Sequence, residues 1–101
     1  MNYIIATTLE KGKPELQKII DSYNRHHIKC VGLEETKKFI RATFSNDDIW
    51  EVTTNTYDMV GRRWFACRVD EDITLRYFHD IILPGGCGTD DYTARERVSF
   101  F

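Results

Sequence analysis

Apolar and polar residues follow patterns typical of a strand and then of a helix in the first part of the chain. Asn2–Thr8 (NYIIATT) is β-branched and apolar over a length typical of a strand buried on one or both faces. Pro14 follows a polar connection and suits the first turn of a helix, where its missing N–H needs no partner. Beyond it, apolar positions recur every three or four residues at Leu16, Ile19, Ile20, Tyr23 and His27. This spacing predicts an amphipathic helix from about Pro14 to His26.

Three further runs have the composition of strands. Ile28–Leu33 predicts a short strand, and Lys37–Ser45 alternates apolar with polar residues. These two runs could also be one interrupted element. Ile49–Thr54 follows an Asn-Asp-Asp turn, which predicts a hairpin with the preceding run. We interpret the large rings of Phe44 and Trp50 as core residues.

The second half of the chain reads as a strand, a helix and a tail. Trp64–Val69 predicts another strand, which ends in the acidic triplet at residues 70–72. Asp72 suits the N-cap of a helix that spans Ile73–Leu83, and the Pro-Gly-Gly step at residues 84–86 would end that helix. Periodicity is lost from Gly85 onward, so residues 85–101 are expected to form a tail that is flexible or ordered by a partner.

The predicted elements follow the order β-α-β-β-β-β-α. We expect them to form a single domain over residues 1–84. We expect an α/β fold with a mixed sheet of about four to five strands and two helices, because a strand, a helix and a second strand at this spacing suggest a βαβ crossover. An α+β fold with a purely antiparallel sheet is the alternative. A length of 101 residues is typical of one domain.

Amino-acid composition indicates the cellular compartment of the protein but does not identify a partner. The formal net charge of −2 gives no global attraction to nucleic acid or to an anionic membrane. No run approaches the roughly 18 apolar residues of a membrane span. Three cysteines without paired spacing favour reduced thiols. We therefore expect a cytoplasmic protein, in the host cytoplasm if the gene is viral, with no membrane partner.

The acidic triplet is the first candidate site. Carboxylates at a strand end can hold a divalent cation, so Asp70 and Glu71 are candidate Mg²⁺ ligands. The alternative is a solvated acidic turn that caps the following helix. No second acidic cluster accompanies the triplet. The sequence indicates no complete catalytic constellation, and we expect no cofactor.

The second candidate site is a concentration of basic and aromatic residues around the same strand. Guanidinium groups bind phosphate through paired hydrogen bonds, and aromatic rings stack on bases. The residues concerned are Tyr57, Arg62, Arg63, Trp64, Arg68 and Arg76. They could contact a protein surface or a nucleotide-like ligand. The alternative is that these arginines pair with Asp58, Asp70 and Glu71.

Short motifs in this region resemble a segment of the phage large-terminase (DNA-packaging) ATPases. The matching segments are Ile4–Glu10 as strand and turn, Phe44–Trp50 as hairpin, Gly61-Arg62-Arg63 as loop and Val69-Asp70-Glu71 as Walker B motif. The G-x-x-x-x-G-K-[ST] loop, which holds the phosphates of ATP, is missing from this sequence. The resemblance therefore implies a small phage or prophage protein rather than an ATPase.

Two hypotheses on function follow. The first is a non-enzymatic accessory protein of phage type that binds a host protein, inhibits a host process such as a defence system, and uses Phe100 and Phe101 as an apolar anchor. The second is a protein that binds a nucleotide or nucleic acid through Arg62, Arg63 and Arg68, with or without Mg²⁺ at Asp70. A homo-oligomer is possible under both hypotheses.

Overall fold

Six strands and two helical regions make up the part of the chain that the computed structural model describes, which is residues 1–54, 62–86 and 97–101. In chain order, the elements are β1 (Asn2–Ala6), α1 (Leu9–Arg25), β2 (Cys30–Glu35), β3 (Ile40–Phe44), β4 (Ile49–Thr54), β5 (Cys67–Val69), α2 (Leu75–Tyr77) and β6 (Val98–Phe100). A π-helical turn, Phe78–Ile82, and a 3₁₀ turn, Leu83–Gly85, continue α2. Residues 75–85 together are called the second helical segment below.

The strands form one mixed sheet in the order β2-β3-β4-β1-β5-β6. β2, β3 and β4 are antiparallel neighbours, whereas β1 lies parallel to both β4 and β5, and β6 lies parallel to β5. The predicted α/β class is confirmed, and the parallel pairs of β1 exclude the purely antiparallel alternative. β2 and β3 are separate strands, because a turn in which Thr36 donates its N–H to the carbonyl of Phe39 lies between them.

Alternating side chains place a separate apolar core on each face of the sheet. The face that α1 covers, called the α1 face, buries Ile4, Leu16, Ile19, Ile40, Ala42, Phe44, Trp50 and Val52. The opposite face packs on the second helical segment and buries Tyr3, Ile5, Trp64, Cys67, Val69, Ile73, Phe78, Ile82 and Leu83. Phe44 and Trp50 are thus core residues, as the sequence predicts.

The first helix begins at Leu9 rather than at Pro14. Thr8 is its N-cap, and the Thr8 hydroxyl accepts a hydrogen bond from the backbone N–H of Lys11 at 3.2 Å. Pro14 therefore lies inside the helix, where it removes one backbone donor. The predicted start was wrong because the polar residues before Pro14 already form the first turns.

The second helical segment also begins later than the sequence predicts. Thr74, not Asp72, is the N-cap, and its hydroxyl accepts a hydrogen bond from the N–H of Tyr77 at 3.2 Å. Asp72 instead directs its carboxylate at the ammonium group of Lys11. Within the three described ranges, no helix is both long enough and apolar enough to cross a membrane.

The end of the predicted tail forms a strand of the sheet, β6 (Val98–Phe100), and Phe101 continues its hydrogen bonds. The N–H of Phe101 donates to the carbonyl of Val69 at 2.9 Å, and the N–H of Glu71 donates to the carbonyl of Phe101 at 2.8 Å. The side chains of Val98 and Phe101 pack against the two cores, one on each face. The remainder of the predicted tail, residues 87–96, and the loop at residues 55–61 lie outside the described residues.

Candidate functional site

Asp70 lies at the end of β5 and is fully buried. Its carboxylate accepts four hydrogen bonds. Oδ1 accepts from Lys11 Nζ at 2.7 Å and from the N–H of Asp72 at 2.9 Å, while Oδ2 accepts from the N–H and the hydroxyl of Thr7, both at 3.1 Å. Burial alone would raise the pKa of Asp70, but these hydrogen bonds outweigh it and lower the pKa to about 2. The charged carboxylate therefore joins the ends of β5 and β1 to the first turn of α1.

This arrangement argues against Asp70 as a Mg²⁺ ligand, one of the two candidates from the sequence. A carboxylate offers about four lone-pair sites, and all of those on Asp70 are occupied by hydrogen bonds. The side chain of Glu71 is exposed, and that of Asp72 pairs with Lys11. No group of three or more His, Cys, Asp or Glu residues that could hold a metal ion occurs in residues 1–54, 62–86 and 97–101. The acidic triplet thus serves as a structural junction.

Arg62 lies on the opposite face of the sheet, where it pairs with a buried glutamate. Its Nη1 lies 3.3 Å from Oε2 of Glu51, and Nη2 of Arg41 donates to Oε1 of the same carboxylate at 2.6 Å. Glu51 points to this face because its neighbours Trp50 and Val52 belong to the core under α1. Two guanidinium groups therefore neutralise one buried carboxylate.

Arg68 lies on the α1 face, separated from Arg62 by the sheet. Its neighbours Cys67 and Val69 point into the opposite core, so strand alternation directs Arg68 toward α1. There its Nη2 lies 2.6 Å from Oε2 of Glu15. The predicted basic cluster of Arg62 and Arg68 is therefore not formed, because the sheet lies between the two guanidinium groups and each pairs with a carboxylate on its own face.

The other predicted binding residues are dispersed. Arg63 is exposed, and Arg76 is 92% exposed on the second helical segment, where its Nε lies 3.6 Å from Oδ2 of Asp80. Arg62, Arg68 and Arg76 thus pair with carboxylates other than Asp70 and Glu71, two of the predicted partners. Tyr57 and Asp58 lie outside the described residues. The cross-strand pair of Arg41 with Glu51 could have been predicted from the hairpin, whereas the partners of Arg62 and Arg68 depend on tertiary structure.

Trp64 is a core residue and cannot serve as a surface contact. Its side chain is fully buried on the opposite face, and its indole Nε1 donates to the carbonyl of Ile82 at 2.7 Å. This hydrogen bond satisfies the polar end of the ring and ties the segment before β5 to the second helical segment.

An apolar groove lies between the second helical segment and β6. It has a volume of about 360 Å³ and is lined by Leu75, Phe78, His79, Val98 and Phe100. Leu75 is 79% exposed and Phe100 is 53% exposed, and the rings of Phe100 and Phe78 meet edge to face at 5.3 Å. The sequence predicts Phe100 as a contact residue but not Leu75, whose exposure follows from how the short helix packs.

The outer edge of β6, the last strand among those described, runs along the same groove. Hydrogen bonds between parallel strands use alternate residues, and here Arg97 and Phe101, the residues on either side of β6, bond to Cys67 and Val69 of β5. The alternation turns the N–H and C=O groups of Val98 and Phe100 away from β5. No further strand pairs with β6 among the described residues. The two side chains that β6 contributes to the groove therefore belong to the two residues whose backbone groups face outward.

Phe101 differs from Phe100 in its role. Its backbone is hydrogen-bonded to β5, and its ring packs against the core under α1. It therefore holds the end of β6 in place, and Phe100 is the aromatic residue of this pair that is presented to solvent.

Comparison of the chain with protein-family models, curated proteins and solved structures finds no match in any of the three.

Proposed function

We propose that this protein binds an extended segment of another protein, which adds to the sheet as a strand beside β6. The observation that carries the proposal is that Val98 and Phe100 combine a strand edge that no other described strand covers with the wall of the apolar groove. Partners that add a strand gain affinity from main-chain hydrogen bonds and specificity from pockets that accept alternate side chains. β6 offers both elements of this recognition.

The chemistry of the groove defines the partner segment. Val98 and Phe100 present two N–H and two C=O groups, so an added strand can form up to four hydrogen bonds. Every second side chain of that strand faces the groove, which has room for one large apolar residue. Full burial of such a side chain contributes about 1.5–3 kcal/mol. We therefore expect an extended segment with an aliphatic or aromatic anchor.

The proposed activity is binding, and it requires no reaction at the groove. The carboxylate that is the strongest sequence candidate for chemistry, Asp70, is held in structural hydrogen bonds. That the partner comes from a host cell, and that binding inhibits a host process, remain predictions from the terminase resemblance.

Selection of random linear peptides on the purified protein tests the proposal, with affinities measured by fluorescence anisotropy. Leu75→Glu places a charge at the mouth of the groove, and we expect it to weaken the enriched peptides by about tenfold or more. Because Leu75 is largely exposed, this change should leave the free energy of unfolding nearly unaltered. Leu33→Glu is the matched control, since Leu33 is an exposed leucine on the other edge strand, β2.

Two readouts separate strand addition from other modes of binding. A peptide bound beside β6 should slow amide hydrogen exchange at Val98 and Phe100. The proposal is wrong if no peptide is enriched, if Leu75→Glu and Leu33→Glu behave alike, or if exchange at these two amides is unchanged. If the protein forms a concentration-dependent dimer that Leu75→Glu abolishes, the partner that adds a strand beside β6 is a second copy of this chain.

A further inference from the structure

A second groove lies on the α1 face, beside the helix. α1 packs over β1, β2, β3 and β4, and the groove is formed where β5 and β6 continue the sheet past it. Its volume is about 220 Å³. Its walls combine hydrophobic residues such as Ile19 and Ala66 with cationic and hydroxyl side chains. The cationic and hydroxyl residues are Lys18, Ser22, Arg68, Arg97 and Ser99.

Arg97 contributes a pair of donors with no partner. Its Nε and Nη2 atoms are buried and make no hydrogen bond within residues 1–54, 62–86 and 97–101. These two N–H groups lie along one edge of the planar guanidinium and point in the same direction. This geometry allows two parallel hydrogen bonds to two oxygens of one oxyanion. The guanidinium carbon lies 4.8 Å from the ring centroid of Phe65 and 6.0 Å from that of Trp64, so aromatic contacts position the group.

Arg68 and Lys18 add positive charge to the same groove. Both contact the carboxylate of Glu15, with Arg68 Nη2 at 2.6 Å from Oε2 and Lys18 Nζ at 3.0 Å from Oε1. Nε of Arg68 is buried and also lacks a hydrogen-bond partner in the part of the chain that the structure describes. The groove is thus lined by three cationic side chains, Arg97 among them, and these contacts supply one carboxylate, which leaves two positive charges uncompensated by them.

We propose that this groove binds a phosphate dianion, either as free phosphate or as the phosphate group of a small ligand such as a nucleotide. A buried N–H without a partner destabilises a folded protein, and an oxyanion satisfies the donors on Arg97 and Arg68 together. Two negative charges match the excess of positive charge, and the hydroxyl groups of Ser22 and Ser99 supply further donors. Of the three arginines predicted for a nucleotide site, this groove uses Arg68.

Isothermal titration calorimetry with inorganic phosphate tests this site, with sodium chloride used to hold the ionic strength constant. We expect phosphate to bind with a Kd of about 1 mM or below, and acetate to bind more weakly because it carries one charge. A second titration with adenosine monophosphate identifies the source of the phosphate. Tighter binding than inorganic phosphate indicates a nucleotide ligand, and weaker binding indicates free phosphate.

Variants distinguish this site from general attraction of anions. Arg97→Lys retains the charge but removes the paired donors, so we expect about tenfold weaker phosphate binding. Lys18→Gln changes a side chain that is 68% exposed and should weaken binding without unfolding the protein, which covers the case in which Arg97→Lys fails to fold. Arg76→Gln removes one positive charge from the second helical segment and is the matched control.

The proposal is overturned if phosphate binds no better than chloride at equal ionic strength. It is also overturned if Arg76→Gln weakens phosphate binding as much as Arg97→Lys and Lys18→Gln do, because net charge would then explain the effect. Unchanged affinity in both groove variants would show that phosphate binds elsewhere on the protein.

Discussion

The carboxylate of Asp70 links three separate parts of the chain. Lys11 comes from the first turn of α1, Thr7 from the end of β1, and Asp72 from the loop that follows β5. Each of these groups donates a hydrogen bond to the ionised carboxylate, so their combined effect depends on the charge of Asp70. A single ionisation therefore controls how well these segments hold together.

The charge of Asp70 predicts how stability changes in acid. Its pKa is 3.8 in the unfolded chain and about 2 in the folded protein, so the unfolded state binds the proton first as the pH falls. The stabilisation is complete above about pH 5 and is lost progressively toward pH 2, with a magnitude on the order of 2 kcal/mol. Asp70→Asn should remove a similar amount at neutral pH and flatten this part of the pH profile.

Urea unfolding of the wild type and of Asp70→Asn across this pH range checks the prediction. Glu71→Gln is the control, since Glu71 is the neighbouring carboxylate but its side chain is exposed. A loss of less than about 0.5 kcal/mol in Asp70→Asn, or an equal loss in Glu71→Gln, would contradict the assigned role of Asp70.

At the scale of secondary structure, regular periodicity was the part of the sequence that predicted well. The apolar stripe that contains Leu16 and Ile19 identified α1, and the alternation around Phe44 and Trp50 identified the hairpin and its buried face. Ends of elements were harder to predict, because they depend on single caps. Thr8 begins α1 through one hydroxyl group, a signal that the more conspicuous Pro14 obscured.

The last strand, β6, could not be predicted from its own sequence. It has only three residues, which is too short for an alternating pattern to be recognised, and its partner β5 lies far away in the sequence. The α/β class was therefore predictable, while the strand that forms the edge of both grooves was not. The groove residues Leu75 and Arg97 were missed for the same reason, since their surroundings exist only in the folded chain.

Deletion of residues 98–101 tests whether β6 is an integral part of the fold. The deletion removes the buried contacts of Val98 and Phe101 and the hydrogen bonds between Phe101 and β5. We expect the free energy of unfolding to fall by about 3 kcal/mol or more, which thermal and urea unfolding would measure. Phe100→Ser, at the more exposed ring, should cost clearly less. If the deletion lowers the free energy of unfolding by less than about 0.5 kcal/mol, residues 98–101 behave as the flexible tail that the sequence predicts.

At the scale of the whole molecule, the sheet divides the protein into two separate environments. Glu51 forms ion pairs with Arg41 and Arg62 on the opposite face. Glu15 forms ion pairs with Lys18 and Arg68 on the α1 face. The predicted arginine cluster failed at this scale, because a strand layer separates residues that are close in the sequence. Each face therefore has its own set of ion pairs and its own groove. β6 contributes alternate side chains to the two grooves.

This division predicts that the two proposed sites respond independently to mutation. Leu75→Glu should change the phosphate affinity by less than about twofold, and Arg97→Lys should change the peptide affinity equally little, because the two side chains do not share a groove. In the double variant, each loss of binding free energy should equal that of the single variant within about 0.5 kcal/mol. Calorimetry and anisotropy on the four proteins measure these values. A larger interaction energy would mean that β6 shifts as a unit between two positions, in which case ligands on the two faces would regulate each other.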